Sequence, residues 1–162
     1  MQRLWISVVV IAADQVSKIL VAREMFLGES VSVLGSFFKL TYILNPGAVF
    51  GMRLGGQVLH LAFAVGALSL VAFMLYRLQD DERAAGVGLT LVLGGAVGNV
   101  IDRLRVGAVI DFLDFGVNGV RWWVFNVADM SVTTGAGLLI LSYGFLQSQK
   151  DGSDGTGDIP VA

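Results

Sequence analysis

The sequence predicts an all-α membrane protein: four transmembrane helices, with a small β-rich hairpin folded between them at the membrane surface. Three observations carry this. Of 162 residues, 55% are hydrophobic and 15% charged, against about a quarter charged in ordinary soluble domains, and the mean hydropathy is +0.74. The apolar residues gather into four blocks, each close to the roughly 20 residues that cross a hydrocarbon core of about 30 Å. Between the third and fourth blocks the chain alternates like a strand and carries Asn118-Gly119, a strong short-range hairpin signal.

The same composition excludes other classes. There is no cysteine, hence no disulfide framework, thiolate zinc site or cysteine nucleophile. The single histidine, His60, rules out most imidazole metal sites and leaves a serine triad only one possible base. A net charge of −2 gives no nucleic-acid footprint. The 21 glycines have no period; within apolar blocks they suit packed membrane helices.

The first block covers 4–21. It has a basic start, but Asp14 and Lys18 lie inside it and no clean A-x-A site follows, so it reads as a retained span rather than a cleaved signal. The second, 58–75, holds only His60 and Ser69 as polar side chains. The third, 84–101, is rich in glycine and alanine, and Gly94 and Gly98 form a GxxxG that reads as close helix packing. The fourth covers 127–146. Residues 77–83 make a short charged turn, and 1–147 form one membrane domain. From 148 to 162 the chain is polar and reads as a disordered tail. That tail contains Gly155-Thr156-Gly157-Asp158, a GxGD imitation that lies outside every apolar block and carries no weight.

The connections hold folded pieces. Residues 37–43 are β-prone and end in the turn Asn45-Pro46-Gly47. In 108–115, alternation places Val109, Asp111, Leu113 and Phe115 on one face. Residues 121–125 form the return strand, with Trp122 and Trp123 suited to headgroup level. Four spans put both termini and the 77–83 turn on one side. Arg3, Arg77, Arg83 and Lys150 fall there; Arg23, Lys39, Arg53, Arg103, Arg105 and Arg121 fall on the other. On that count the positive-inside rule disfavours cytoplasmic termini, unless some of those basic residues are bound up in a site.

An ionisable side chain inside a span costs at least about 2.5 kcal/mol and is a functional hypothesis by default. Asp14, Ser17 and Lys18 share a helix face, and Asp14 with Lys18 reads first as a buried structural pair. Asp102 and Arg103 close the third span, as a helix-end ion pair or as support for a site. Asp114 reads as a solvated strand residue. Asp129 opens the fourth span with Asn126 three residues earlier as N-cap, so the dipole alone would explain it. Yet the hairpin returns the chain from Asp111 toward Asp129, and the two carboxylates can converge at one membrane face. Such a pair holds one proton: one member activates water while the other serves the carbonyl, which is aspartic protease chemistry. Ser17 and Lys18 point about 100° apart on a helix, poor geometry for a dyad, and residues 94–98 lack the Lys-Ser/Thr of a phosphate loop. The competing reading is an ion-coupled carrier, which internal repeats would support; the sequence shows none.

Five motifs then match a family in order: Asp14-Gln15-Val16-Ser17-Lys18; Asn45-Pro46-Gly47-Ala48-Val49-Phe50; residues 94–103, ending Asn99-Val100-Ile101-Asp102-Arg103; Gly107-Ala108-Val109-Ile110-Asp111-Phe112; and Phe125-Asn126-Val127-Ala128-Asp129. Over roughly residues 5–147 the chain resembles bacterial lipoprotein signal peptidase, signal peptidase II. The resemblance implies an aspartic endopeptidase that removes the signal peptide of a prolipoprotein just before its diacylglyceryl-modified cysteine. It assigns Asp111 and Asp129 as catalytic. Asp14, Asn45, Asn99, Arg103 and Asn126 match polar residues that line the site or hold the dyad and substrate. Lys18 and Gly47 fall in the same motifs as support, and Asp102 as structural support paired with Arg103. Pro46 is a mild departure that stiffens its turn. The resemblance further implies no metal and no cofactor, a lipid-modified prolipoprotein and membrane lipid as partners, no nucleic acid, and a monomer. It places the chain as a multi-pass protein of the cytoplasmic membrane, with cytoplasmic termini, an extracytoplasmic β-rich cradle and a site near the outer leaflet.

Overall fold

The structure is a computed structural model and describes residues 3–47, 56–79 and 82–154. The elements run α1 (Leu4–Glu24), β1 (Ser30–Leu34), β2 (Phe38–Asn45), α2 (Gly56–Arg77), α3 (Arg83–Val106), β3 (Val109–Val117), β4 (Val120–Arg121) and α4 (Val127–Asp154). Each apolar block is a helix, lengthened by up to a few residues at its ends, and α4 continues beyond its block through Asp154. Among the described residues, α1 and α3 are long and apolar enough to cross a membrane, and α2 holds a shorter apolar stretch, Leu61–Arg77. The GxGD stretch and the side chain of His60 lie outside the described residues.

Helix α3 is the hub, packing against α1, α2 and α4. Its small residues make that possible. A Cβ on Gly88 would lie 2.8 Å from the Gly135 carbonyl oxygen, and one on Gly135 would lie 2.5 Å from that of Gly88. The α3 and α4 backbones therefore meet directly. Gly94 faces α1 at Ser7 and Val10, and Gly95 faces α4 at Ala128. The GxxxG reading thus holds for Gly94 and Gly98 and extends to a broader glycine face. Buried positions among the described residues are as often polar as apolar, whereas Trp5, Phe63 and Ile140 are exposed. A chain whose interior is polar and whose outside is apolar suits lipid as its solvent.

The four strands form one antiparallel sheet in the order β1-β2-β3-β4. The expected hairpin is present. Asn118 and Gly119 both take positive φ, 51° and 84°, as a two-residue type I′ turn requires. Its return strand is short: only Val120 and Arg121 pair as β4, and the chain touches β3 again where Leu113 N–H donates to the Phe125 carbonyl at 2.7 Å. The sequence reading missed β1, a fully exposed edge strand, and the β2–β3 pairing, in which Ile43 faces Asp111 and Asn45 faces Val109. A small apolar cluster of Val21, Ile110 and Phe112, joined by Tyr42 and Val127, seats the sheet on the ends of α1 and α4.

Asp114 corrects an expectation. It is buried, 5% exposed, rather than solvated. Arg121 Nε donates to it at 2.6 Å and Thr41 Oγ1 at 2.7 Å. Burial opposes its ionised form, but the Arg121 and Thr41 hydrogen bonds hold its carboxyl below the usual carboxylate range. Arg121 Nη1 also donates to the Ser36 carbonyl at 2.9 Å, tying β4 to the β1–β2 turn.

Substituting Gly88 by Val should force α3 and α4 apart and cost about 1–3 kcal/mol, read as a lower apparent Tm in detergent. Gly66→Ala, where a Cβ meets nothing within 4 Å, should hold or raise it.

Candidate active site

Four elements deliver the polar residues to one place. Asp14, Gln15 and Lys18 come from α1. Asn99, Asp102 and Arg103 come from the last turns of α3. Asn45 and Asp111 sit near one another on β2 and β3, and Asn126 with Asp129 opens α4.

The start of α4 explains two of these positions. Asn126 Oδ1 accepts the Asp129 N–H at 2.9 Å, and Asp129 Oδ2 accepts the Asn126 N–H at 3.4 Å. This reciprocal pattern is a capping box. The N-cap reading and the site reading of Asp129 therefore hold together. At the end of β2, Asn45 Oδ1 accepts the Gly47 N–H at 3.0 Å, and Gly47 takes φ 93°, a conformation suited to glycine. That turn leaves the Asn45 amide nitrogen free to donate to Asp111 Oδ2 at 3.0 Å. Asn126 Nδ2 donates to the other oxygen, Asp111 Oδ1, at 2.6 Å. Asn99 Nδ2 donates to Asp129 Oδ1 at 2.8 Å. Asn126 thus touches both carboxylates, and the structure brings Asp111 and Asp129 together as the spacing suggested.

Beneath them lies a buried charged cluster. Lys18 Nζ contacts Asp14 Oδ2 at 2.9 Å, Asp102 Oδ2 at 2.7 Å and Asn99 Oδ1 at 2.9 Å. The three charged side chains are at most 1% exposed. Asp14 Oδ1 also accepts the Ala128 N–H at 2.9 Å, and Asp102 Oδ2 the Ile110 N–H at 3.1 Å. The Asp14–Lys18 pair is as read, and Asp102 joins it. Adjacent helical residues diverge by about 100°, so Asp102 turns inward to Lys18 while Arg103 Nη1 donates to the Asn99 carbonyl at 3.2 Å. Gln15 was overlooked. Its Nε2 lies 3.1 Å from Asp14 Oδ2, Asp102 Oδ1 and the Gly98 carbonyl. Its signal was available, since an amide inside an apolar block needs partners as a charge does.

Asp111 is 1% exposed. Burial, the largest cause, pushes its carboxyl up to about 6 from 3.8; the Asn45 and Asn126 hydrogen bonds pull it back, and the nearby Asp129 charge pushes it further up. A group poised there can hold a proton near neutrality. No three His, Cys, Asp or Glu among the described residues are grouped to hold a metal ion. A separate cavity of about 1180 Å³ at the far end of the bundle, near Arg3, Tyr76 and Arg83, contains none of these carboxylates.

The structure thus sets a carboxylate pair, one member buried with its carboxyl pushed up to about 6, where an apolar-walled bundle meets a small sheet. The chain belongs to the signal peptidase II family: residues 6–145 match the family described as Signal peptidase (SPase) II. It is therefore an aspartic peptidase of lipoprotein processing, which removes signal peptides from prolipoproteins, and the carrier reading falls away. The chain is 43% identical to the lipoprotein signal peptidase of Desulforapulum autotrophicum over 135 residues, 80% of this chain and 83% of that protein. It is 40% identical to that of Brevibacillus brevis, over 90% of this chain and 96% of the relative. A solved bacterial membrane enzyme superposes with a TM-score of 0.80 at 30% identity, covering 99% of this chain and 94% of the other.

The folded chain keeps a proton on Asp111 up to about pH 6, where an ordinary aspartate loses it near 3.8. The native state thus binds the extra proton in that window, and stability from this group falls as pH rises from about 4 to about 6. Asp111→Asn should remove that slope in thermal unfolding. Asp129→Asn should lower the Asp111 midpoint, followed by the infrared carboxyl band, because it deletes the neighbouring charge.

Proposed function

We propose that the protein cleaves prolipoproteins just before the diacylglyceryl-modified cysteine, by attack of a water held between Asp111 and Asp129. One aspartate acts as base toward the water while the other donates its proton to the scissile amide, and the pair titrates as a unit. The single observation that carries this reading is the sharing of Asn126, which is 2.6 Å from Asp111 through its side chain and 3.4 Å from Asp129 through its backbone. In this reading Asn45, Asn99, Asn126 and Arg103 position the peptide and the dyad. The signal helix lies between the spans, its lipid chains stay in the bilayer, and, of the 22–57 segment, the described residues 22–47 cover the substrate.

All four helices cross the membrane in this proposal, with cytoplasmic termini and the site near the outer leaflet of the cytoplasmic membrane. The charge count opposed that orientation. Support comes from the engagement of basic residues on the far side: Arg121 is paired with Asp114 at 2.6 Å, Arg103 bonds the Asn99 carbonyl, and Arg105 bonds Gln15 at 3.3 Å. The enzyme acts as a monomer, without metal, cofactor or nucleic acid.

Purified protein should shorten a lipid-modified prolipoprotein, and Asp111→Asn or Asp129→Asn should each lower the rate by roughly 10²–10⁴. A wild-type rate in either variant sinks the dyad. Asp158→Asn, and truncation after Gln149, should leave cleavage intact, as followed by gel shift of the product.

A further inference from the structure

We infer that Lys18 is a positioning residue for the reaction, acting through Asn99, because it fixes which end of the Asn99 side-chain amide faces Asp129. The inference rests on the carboxylate-pair reading above. The Lys18 ammonium has only donors. It reaches Asp14 Oδ2, Asp102 Oδ2 and Asn99 Oδ1, at 2.9, 2.7 and 2.9 Å. With its oxygen held by the cation, Asn99 has only its NH2 to offer Asp129, and Nδ2 lies 2.8 Å from Asp129 Oδ1. Turning the amide over would place a carbonyl oxygen on a carboxylate and an NH2 on an ammonium, which is repulsive at both ends.

Asn126 is fixed from the opposite direction. Its Oδ1 accepts the Asp129 N–H at 2.9 Å, which leaves Nδ2 for Asp111 Oδ1 at 2.6 Å and for Asn99 Oδ1 at 3.2 Å. Two side chains that could each present either face are thereby locked with their donors toward the carboxylates. A wholly structural lysine would need only Asp14 and Asp102. The third bond, to Asn99, is what reaches toward the dyad, although Lys18 itself is 1% exposed.

The test compares two full-length variants in which the buried charges are neutralised together: Asp14→Asn, Asp102→Asn and Lys18→Met, against the same pair with Lys18→Gln. Both remove the same charges, but only Gln can donate to Asn99. Cleavage of a lipid-modified prolipoprotein should show kcat about ten- to a hundredfold lower for the Met form, with KM essentially unchanged, and most of the loss restored in the Gln form. Equal kcat in two folded forms overturns the inference. If circular dichroism shows either form unfolded, Asn99→Asp decides. It still accepts from Lys18 but offers Asp129 no donor, so the same loss of kcat is expected, and a wild-type kcat overturns the inference. Asp111→Asn and Asp129→Asn run alongside. Cleavage by those variants fails the dyad reading, whereas their inactivity with two matching charge-neutral forms fails only the role of Lys18.

Discussion

The interaction on which the rest depends is one buried ammonium with its three acceptors. Lys18 from α1 meets Asp102 and Asn99 from α3, while its α1 neighbour Asp14 reaches back to the Ala128 N–H of α4. Asp102 in turn accepts the Ile110 N–H at the start of β3. Three helices and the sheet are thus joined through polar atoms in an interior that lipid cannot solvate. Removing one partner of such a group typically costs about 3–5 kcal/mol, since an uncompensated charge is left behind. Among the described residues every buried side-chain nitrogen and oxygen has a partner, which is the condition for a charged network to be tolerated there.

Glycine and charge work together in this arrangement. A Cβ on Gly98 would lie 2.5 Å from Asp14 Oδ2, so the absence of a side chain makes the space the carboxylate occupies. The close α3–α4 approach at Gly88 and Gly135 also lets the start of α4 come near the end of α3. Asn126 and Asp129 can then meet Asn99. Packing by small residues here fixes the separation of the site's polar side chains as well as the stability of the bundle.

Much of this was legible in the sequence because lipid imposes simple rules. Length and apolarity located the helices, and Asn118-Gly119 located a hairpin whose turn has the expected dihedrals. Carboxylates in the wrong solvent pointed to the site. What was not legible depended on direction rather than composition. Whether Asp102 turns to Arg103 or to Lys18 is decided by helical phase and by what faces it, and neither is local. Asp114 reads as solvated until Arg121 and Thr41 arrive from other strands. β1 pairs along only one edge and buries neither face; its alternating Ser30-Val31-Ser32-Val33 carried a strand signal that the sequence reading passed over.

The Arg121 side chain spans the Ser36 carbonyl, the Asp114 carboxylate and the Asp114 carbonyl. It rivets the tips of the two hairpins together. The β1–β2 turn is thereby tied to β3 through side-chain contacts as well as through the strand ladder. Because β3 also bears Asp111 three residues before Asp114, one strand joins the Arg121 clasp at the exposed rim to the buried carboxyl group of Asp111.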